Sequence, residues 1–132
     1  MPQACILRIA NSTTFNVKNG LIIAQWNCRG LYRKLYELKG LLTSLQPLPD
    51  VITLQETHLI EKYSPKLNGY YYYRQDKSLR SGGLTIFVRD DLSSSLLNLP
   101  CTLVESMGIN ISGINIYINK IARLCVTPRK TF

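Results

Sequence analysis

Two segments of this chain end apolar runs in oxygen donors: Gln25-Trp26-Asn27-Cys28-Arg29-Gly30-Leu31 and Pro49-Asp50-Val51-Ile52-Thr53-Leu54-Gln55-Glu56-Thr57-His58. Asn27 closes the first run and Glu56 the second. An amide oxygen and a carboxylate are hard donors, and at neighbouring strand ends they can begin a site for a divalent cation such as magnesium. The four cysteines, Cys5, Cys28, Cys101 and Cys125, show no paired ligand spacing, so oxygen rather than sulfur chemistry is expected.

The elements that must position these residues are legible around them. Residues 21–26 are short, apolar and bounded by turn residues, as in a buried strand. Leu31, Leu35, Leu38, Leu42 and Leu45 recur at three- and four-residue steps, predicting an amphipathic helix that Pro47 and Pro49 stop. Residues 51–55 form the next strand. A strand–helix–strand crossover makes the two strands parallel neighbours, with their carboxyl ends on one sheet edge, where sites of α/β folds commonly lie. Further strands are expected over residues 69–74 and 84–88. Residues 101–111 and 113–119 form a hairpin around Ser112-Gly113. Residues 1–20 read as a loose leader, 21–119 as the domain and 120–132 as a tail.

Composition narrows the classes. The chain has 132 residues, 45% hydrophobic and 18% charged, which describes one globular unit and excludes a disordered chain. Sixteen Lys and Arg against eight Asp and Glu leave a net charge of +8. That balance favours polyanions, nucleic acid first and acidic membrane surface second. No apolar run approaches the length of a membrane span, so no membrane partner is expected. The dispersed cysteines read as reduced thiols of an intracellular protein.

The order Trp26-Asn27-x-Arg29-Gly30-Leu31, an amphipathic helix, Pro49-Asp50-Val51-Ile52-x-Leu54-Gln55-Glu56-Thr57, then Arg80-Ser81-Gly82-Gly83-Leu84-x-Ile86-Phe87-Val88 resembles the endonuclease/exonuclease/phosphatase superfamily. More narrowly, it is similar to the apurinic-type endonuclease domain at the front of non-LTR retrotransposon polyproteins. The resemblance runs from residue 21 to residue 91, and less closely to residue 117. It implies a four-layer α/β sandwich, here partial, with mostly the first sheet and its first helix. It also implies magnesium-dependent phosphodiester cleavage of DNA, and a nuclear location for a functional protein. By the same resemblance, Glu56 is the metal ligand, Asn27 a polar group near the scissile phosphate, and Tyr117, in Ile114-Asn115-Ile116-Tyr117, the family's catalytic tyrosine.

The departures are equally informative. The family's Gly-Asp-Phe-Asn and Ser-Asp-His segments do not occur; the other acids are Glu37, Asp50, Glu61, Asp76, Asp90, Asp91 and Glu105, and the single histidine is His58. Losing a general base removes about 10²–10⁴-fold in rate, and missing ligands weaken the metal. Turnover by this chain alone is expected to be negligible. After Tyr117 the Pro-containing continuation is absent, which reads as a truncated copy, a frame change or a gene-prediction artefact, or else a short protein that kept half the fold.

Other residues admit a sharp and a bland reading. Arg29 reaches a phosphate or caps its turn. Lys77 and Arg80 contact DNA phosphates, or are solvated loop charges; such contacts are salt-sensitive and indifferent to sequence. Gly82-Gly83 lacks the rest of a phosphate loop and reads as a flexible lead into a strand. The run of tyrosines from 70 to 73 alternates across a strand and reads as core. A first sheet without its partner exposes an apolar face, predicting self-association. The alternatives to an endonuclease domain are a non-enzymatic basic nucleic-acid-binding module and a phosphoesterase of another branch.

Overall fold

The computed structural model describes residues 5–9, 21–44, 48–76, 82–99, 105–119 and 124–128. Within them the order is β1 (Cys5–Ile9), β2 (Leu21–Asn27), α1 (Leu31–Ser44), β3 (Val51–Gln55), β4 (Tyr70–Gln75), β5 (Leu84–Arg89), β6 (Ser94–Leu96), β7 (Ser106–Ile111), β8 (Ile114–Asn119) and β9 (Leu124–Pro128). A five-stranded sheet runs β1-β2-β3-β5-β4 and a four-stranded sheet runs β6-β7-β8-β9. Strands β2 and β3 are parallel, with Asn27 opposite Gln55, and every other pairing is antiparallel. The crossover through α1 therefore does what the sequence pattern requires.

Strand alternation divides the core in two. On the inner face of the first sheet, Leu21, Ile23, Val51, Leu84, Ile86 and Val88 pack against Met107, Ile109, Ile111, Ile114, Ile116 and Ile118 of the second. On the outer face, Ala24, Trp26, Ile52, Leu54 and Phe87 meet Leu31, Leu38 and Leu42 of α1. Each fully buried aliphatic side chain contributes about 1.5–3 kcal/mol relative to exposure. The result is helix, sheet, sheet: a partial sandwich of the expected class.

The tyrosine strand is core on both sides, as its alternation requires. Tyr71 and Tyr73 pack on the inter-sheet cluster, Tyr70 and Tyr72 on the helix-side cluster. At the far edge Asp50 clamps the sheet. Its carboxylate accepts the Ile22 N–H at 2.8 Å and pairs with Arg89 at 3.0 Å.

Three expectations need correction. Part of the supposed leader, Cys5–Ile9, is a strand paired antiparallel with β2, because an edge strand draws its stability from non-local hydrogen bonds rather than from apolar periodicity. Part of the supposed tail, Leu124–Pro128, likewise pairs with β8. The inner face of the first sheet is covered by β7 and β8 rather than bare, so the reason given for self-association through that face does not hold.

Candidate functional site

The site grows from the end of the parallel pair. The Cys28 N–H donates to Gln55 O at 3.1 Å, Gly30 N–H to Glu56 O at 2.8 Å and Leu31 N–H to Thr57 O at 2.8 Å. The two motifs thus stay hydrogen-bonded after the strands end. Asn27 is exposed at this edge and Glu56 half-buried, one residue further along than the Gln55 that faces Asn27. On the other side, Thr57 N–H donates to Gly83 O at 3.2 Å and His58 N–H to Gly82 O at 2.9 Å.

The backbone here is unusual. Arg29, Glu56 and His58 have φ of 49°, 51° and 52°, beside Gly30 at 107°, Gly82 at 83° and Gly83 at 95°. A left-handed conformation costs an L residue about 1–2 kcal/mol, and such strain gathers where geometry serves a site. The remaining non-glycine case, Ser112 at 50°, is explained by its hairpin turn with Gly113.

Electrostatics are open rather than locked. Arg29 Nε lies 3.9 Å from Glu56 Oε2, with 78% of the arginine side chain exposed. Such a pair contributes only a fraction of a kcal/mol, leaving both groups available. Behind Glu56 the interior is polar: the Gln55 amide and the Thr57 and Thr85 hydroxyls are buried without a protein hydrogen-bond partner. Cys28 is buried, its Sγ donating to Gln55 O at 3.4 Å. Burial pushes its thiol up to about 11, against the opposing pull of the Gly30 and Cys28 amides.

Of the residues singled out from sequence, Asn27, Arg29, Glu56 and His58 meet at this edge. Tyr117 is on β8, in register with Gly108, and its ring covers that glycine: a Cβ there would sit 2.8 Å from Tyr117 Cδ1. Because Ile116 and Ile118 point into the inter-sheet core, Tyr117 faces the outer side of the second sheet. Lys77 and Arg80 lie outside the described residues.

Two features escaped the sequence reading. Glu105 accepts the Gly83 N–H at 2.8 Å, joining the second sheet to the loop beside Glu56. The Gly82-Gly83 pair is therefore a pinned segment, not a flexible lead. A Cβ on Gly83 would stand 2.6 Å from Thr57 Oγ1. The doubled glycine was the available signal, since close backbone approach is one reason for glycine.

The donors suit part of a magnesium shell. Magnesium is usually held by one or two carboxylates, with water and substrate phosphate completing its octahedron. Glu56 is such a carboxylate, and Asn27 offers an amide oxygen beside it. Among the described residues, no group of three or more His, Cys, Asp or Glu could hold a metal by itself. No helix among them is long and apolar enough to cross a membrane.

Comparison with known proteins places this arrangement. A search of functionally curated sequences gives no match. The structure of the 3' phosphatase NExo from Neisseria, bound to a product DNA hairpin, is similar with a TM-score of 0.57 and 22% identity. The likeness covers 76% of this chain and 41% of that one, so this chain spans about two-fifths of the neighbour's length. The profile of the Endonuclease/Exonuclease/phosphatase family matches residues 24–118, an interval that holds Asn27, Glu56, Gly83, Glu105 and Tyr117. The chain belongs to the Endonuclease/Exonuclease/phosphatase family.

Proposed function

We propose that this chain is part of a DNA phosphodiesterase domain of the apurinic-endonuclease type carried by non-LTR retrotransposons. We propose further that these 132 residues engage DNA without cutting it. The observation that carries the reading is the edge itself: Asn27 ends β2 and Glu56 follows directly on the end of the parallel β3, on a backbone held left-handed at Arg29, Glu56 and His58. The DNA-bound neighbour supports DNA as the substrate class. The Trp-Asn-x-Arg-Gly-Leu wording of the first motif favours the retrotransposon branch.

In this reading Glu56 is the carboxylate for magnesium, Asn27 steadies a phosphate oxygen, and Arg29 swings from its loose pairing with Glu56 onto the phosphate backbone. Bound there, the cation would polarise the phosphate and ease departure of the leaving oxygen. Tyr117 corresponds by motif to the family's tyrosine, although its ring lies over Gly108 on the outer side of the second sheet and outside the set gathered at the edge. Lys77 and Arg80 are additional phosphate contacts. What the chain lacks is a base for water: its single histidine and scattered acids include no Ser-Asp-His segment.

A second reading, a basic module that docks on nucleic acid without any catalytic ancestry in use, is favoured by the net charge of +8. Plasmid nicking and gel mobility shift separate the two. The endonuclease-derived reading expects a shift that fades with salt, strengthens with magnesium in the wild type and loses that strengthening in Glu56→Ala, with no nicking by either protein. Magnesium-dependent nicking lost in Glu56→Ala would overturn the claim of inactivity. A shift indifferent to magnesium and to Glu56 would leave the basic module, and no shift at low salt would remove DNA altogether.

A further inference from the structure

Beside the edge just described stands an aromatic pair: Tyr63, half-buried, packs on the helix-side core, while Tyr32 belongs to neither core cluster. Tyr32, the second residue of α1, and Tyr63, in the loop after β3, stack with ring centroids 4.2 Å apart and an interplanar angle of 22°. Tyr32 is 62% exposed even though one ring face is covered. Its other face is open to solvent. One helical turn further along the same side, Tyr36 is 86% exposed.

The pair is built rather than incidental. Tyr63 N–H donates to Ile60 O at 3.0 Å, closing a turn. The Arg74 guanidinium then ties that turn to β4, donating through Nη1 to Tyr63 O and through Nη2 to Ile60 O at 3.0 Å. Asp76 orients the guanidinium by accepting from Nε at 3.0 Å. On the other side, Leu31 N–H bonded to Thr57 O fixes the start of α1. The backbones that carry both rings are therefore anchored, which lowers the ordering cost when something covers them.

The surroundings are cationic. Lys62 Nζ lies 5.6 Å from the Tyr63 ring centroid. Arg29, Arg33 and Lys66 are exposed nearby in the chain, against the exposed acid Glu61 in the same turn. Aromatic faces set among phosphate-binding cations are how proteins grip unpaired strands: each base–aromatic stack is sequence-tolerant because every base has a π-face. A buried aromatic would serve packing; an exposed, pre-stacked one among cations serves a planar ligand.

We infer that the open face of Tyr32, backed by Tyr63, receives an unpaired nucleobase of the DNA strand whose phosphates lie along the Asn27–Glu56 edge. This rests on the DNA reading above and adds to it a preference for a locally unpaired strand. The connectivity suits it. Leu31, one residue before Tyr32, is bonded to Thr57, the neighbour of Glu56. The backbone of the residue before Tyr32 is thus tied to the backbone of the residue after Glu56, which sets the ring and the edge on one connected piece of structure.

Binding of the full chain to a fluorescent single-stranded oligonucleotide, and to one bearing 2-aminopurine, tests this by anisotropy and by quenching. Tyr32→Ala should weaken single-strand binding about tenfold and abolish the quenching. Tyr32→Phe, which keeps the ring, should behave as wild type. Tyr32→Phe should melt as wild type, and Tyr32→Ala should stay folded with a melt close to it, the lost stack being partly offset by alanine's helix propensity. Unaltered affinity and quenching in Tyr32→Ala, with the wild type binding normally, would overturn the stacking site and leave the DNA reading intact. Failure of the wild-type chain to bind any DNA would overturn both.

Discussion

The Glu105 carboxylate accepts the Gly83 amide hydrogen at 2.8 Å, across 22 residues and between the two sheets. Gly83 in turn offers its carbonyl to Thr57. The second sheet therefore reaches the turn at Glu56 through a single glycine. Glu105→Ala should lower unfolding free energy by about 1–3 kcal/mol, the usual cost of orphaning a buried donor. Glu105→Gln, which keeps an acceptor, should lose less. Urea denaturation of the three proteins checks the order.

Gly83 has a second role in the same contact. Its φ of 95° and the 2.6 Å approach of Thr57 Oγ1 to a would-be Cβ leave no room for a side chain. Gly83→Ala should cost about 3 kcal/mol, from a left-handed penalty and overpacking together. Gly40, with nothing near its would-be Cβ, is the control: Gly40→Ala should raise stability, since the helix gains about 1 kcal/mol of propensity. Thermal melts moving in opposite directions would bear this out.

Glu56 holds a left-handed backbone at φ 51°, a conformation that glycine adopts without strain. Glu56→Gly should therefore stabilise the fold by about 0.5–1 kcal/mol, the relieved strain less the entropy of glycine. It should also remove any response of the protein to magnesium. Chemical denaturation with and without the cation reads both effects.

The Cys28 thiol provides a pH signature. Burial raises its folded value to about 11 from an ordinary 9.0. Between those values the unfolded chain has released the proton while the folded chain keeps it. Stability from this group is therefore complete below about pH 9 and declines as pH rises through about 11. A Cys28→Ala variant should show a smaller decline over that interval. In native protein at neutral pH, thiol reagents should label exposed Cys125 well before buried Cys28.

Much of the first sheet could be read from residue order alone. The leucine periodicity of α1 and the apolar runs of β2 and β3 are local signals, and their burial matches. Strands β1 and β9 have no such signal. Each is an edge, and Arg8 in one and Thr127 in the other interrupt any apolar pattern. Strand β6, three residues of Ser-Ser-Leu, is set by its partner β7. At the candidate site, the ends of the two apolar runs placed Asn27 and Glu56 at one sheet edge, and the pairing of β2 with β3 puts them there. The Glu105–Gly83 bond and the Tyr32–Tyr63 stack join residues far apart in the chain, and spacing says nothing about them. Left-handed backbone at Arg29, Glu56 and His58 is likewise imposed by the fold, since none is a glycine that would announce it.

Paramagnetic manganese, added to isotope-labelled chain with a short DNA strand, tests the metal edge most directly. The account predicts selective broadening of the amides of Asn27, Glu56 and Thr57, deepened by DNA and absent in Glu56→Gln. Broadening centred instead on Asp90 and Asp91, or none at all with DNA bound, would contradict it.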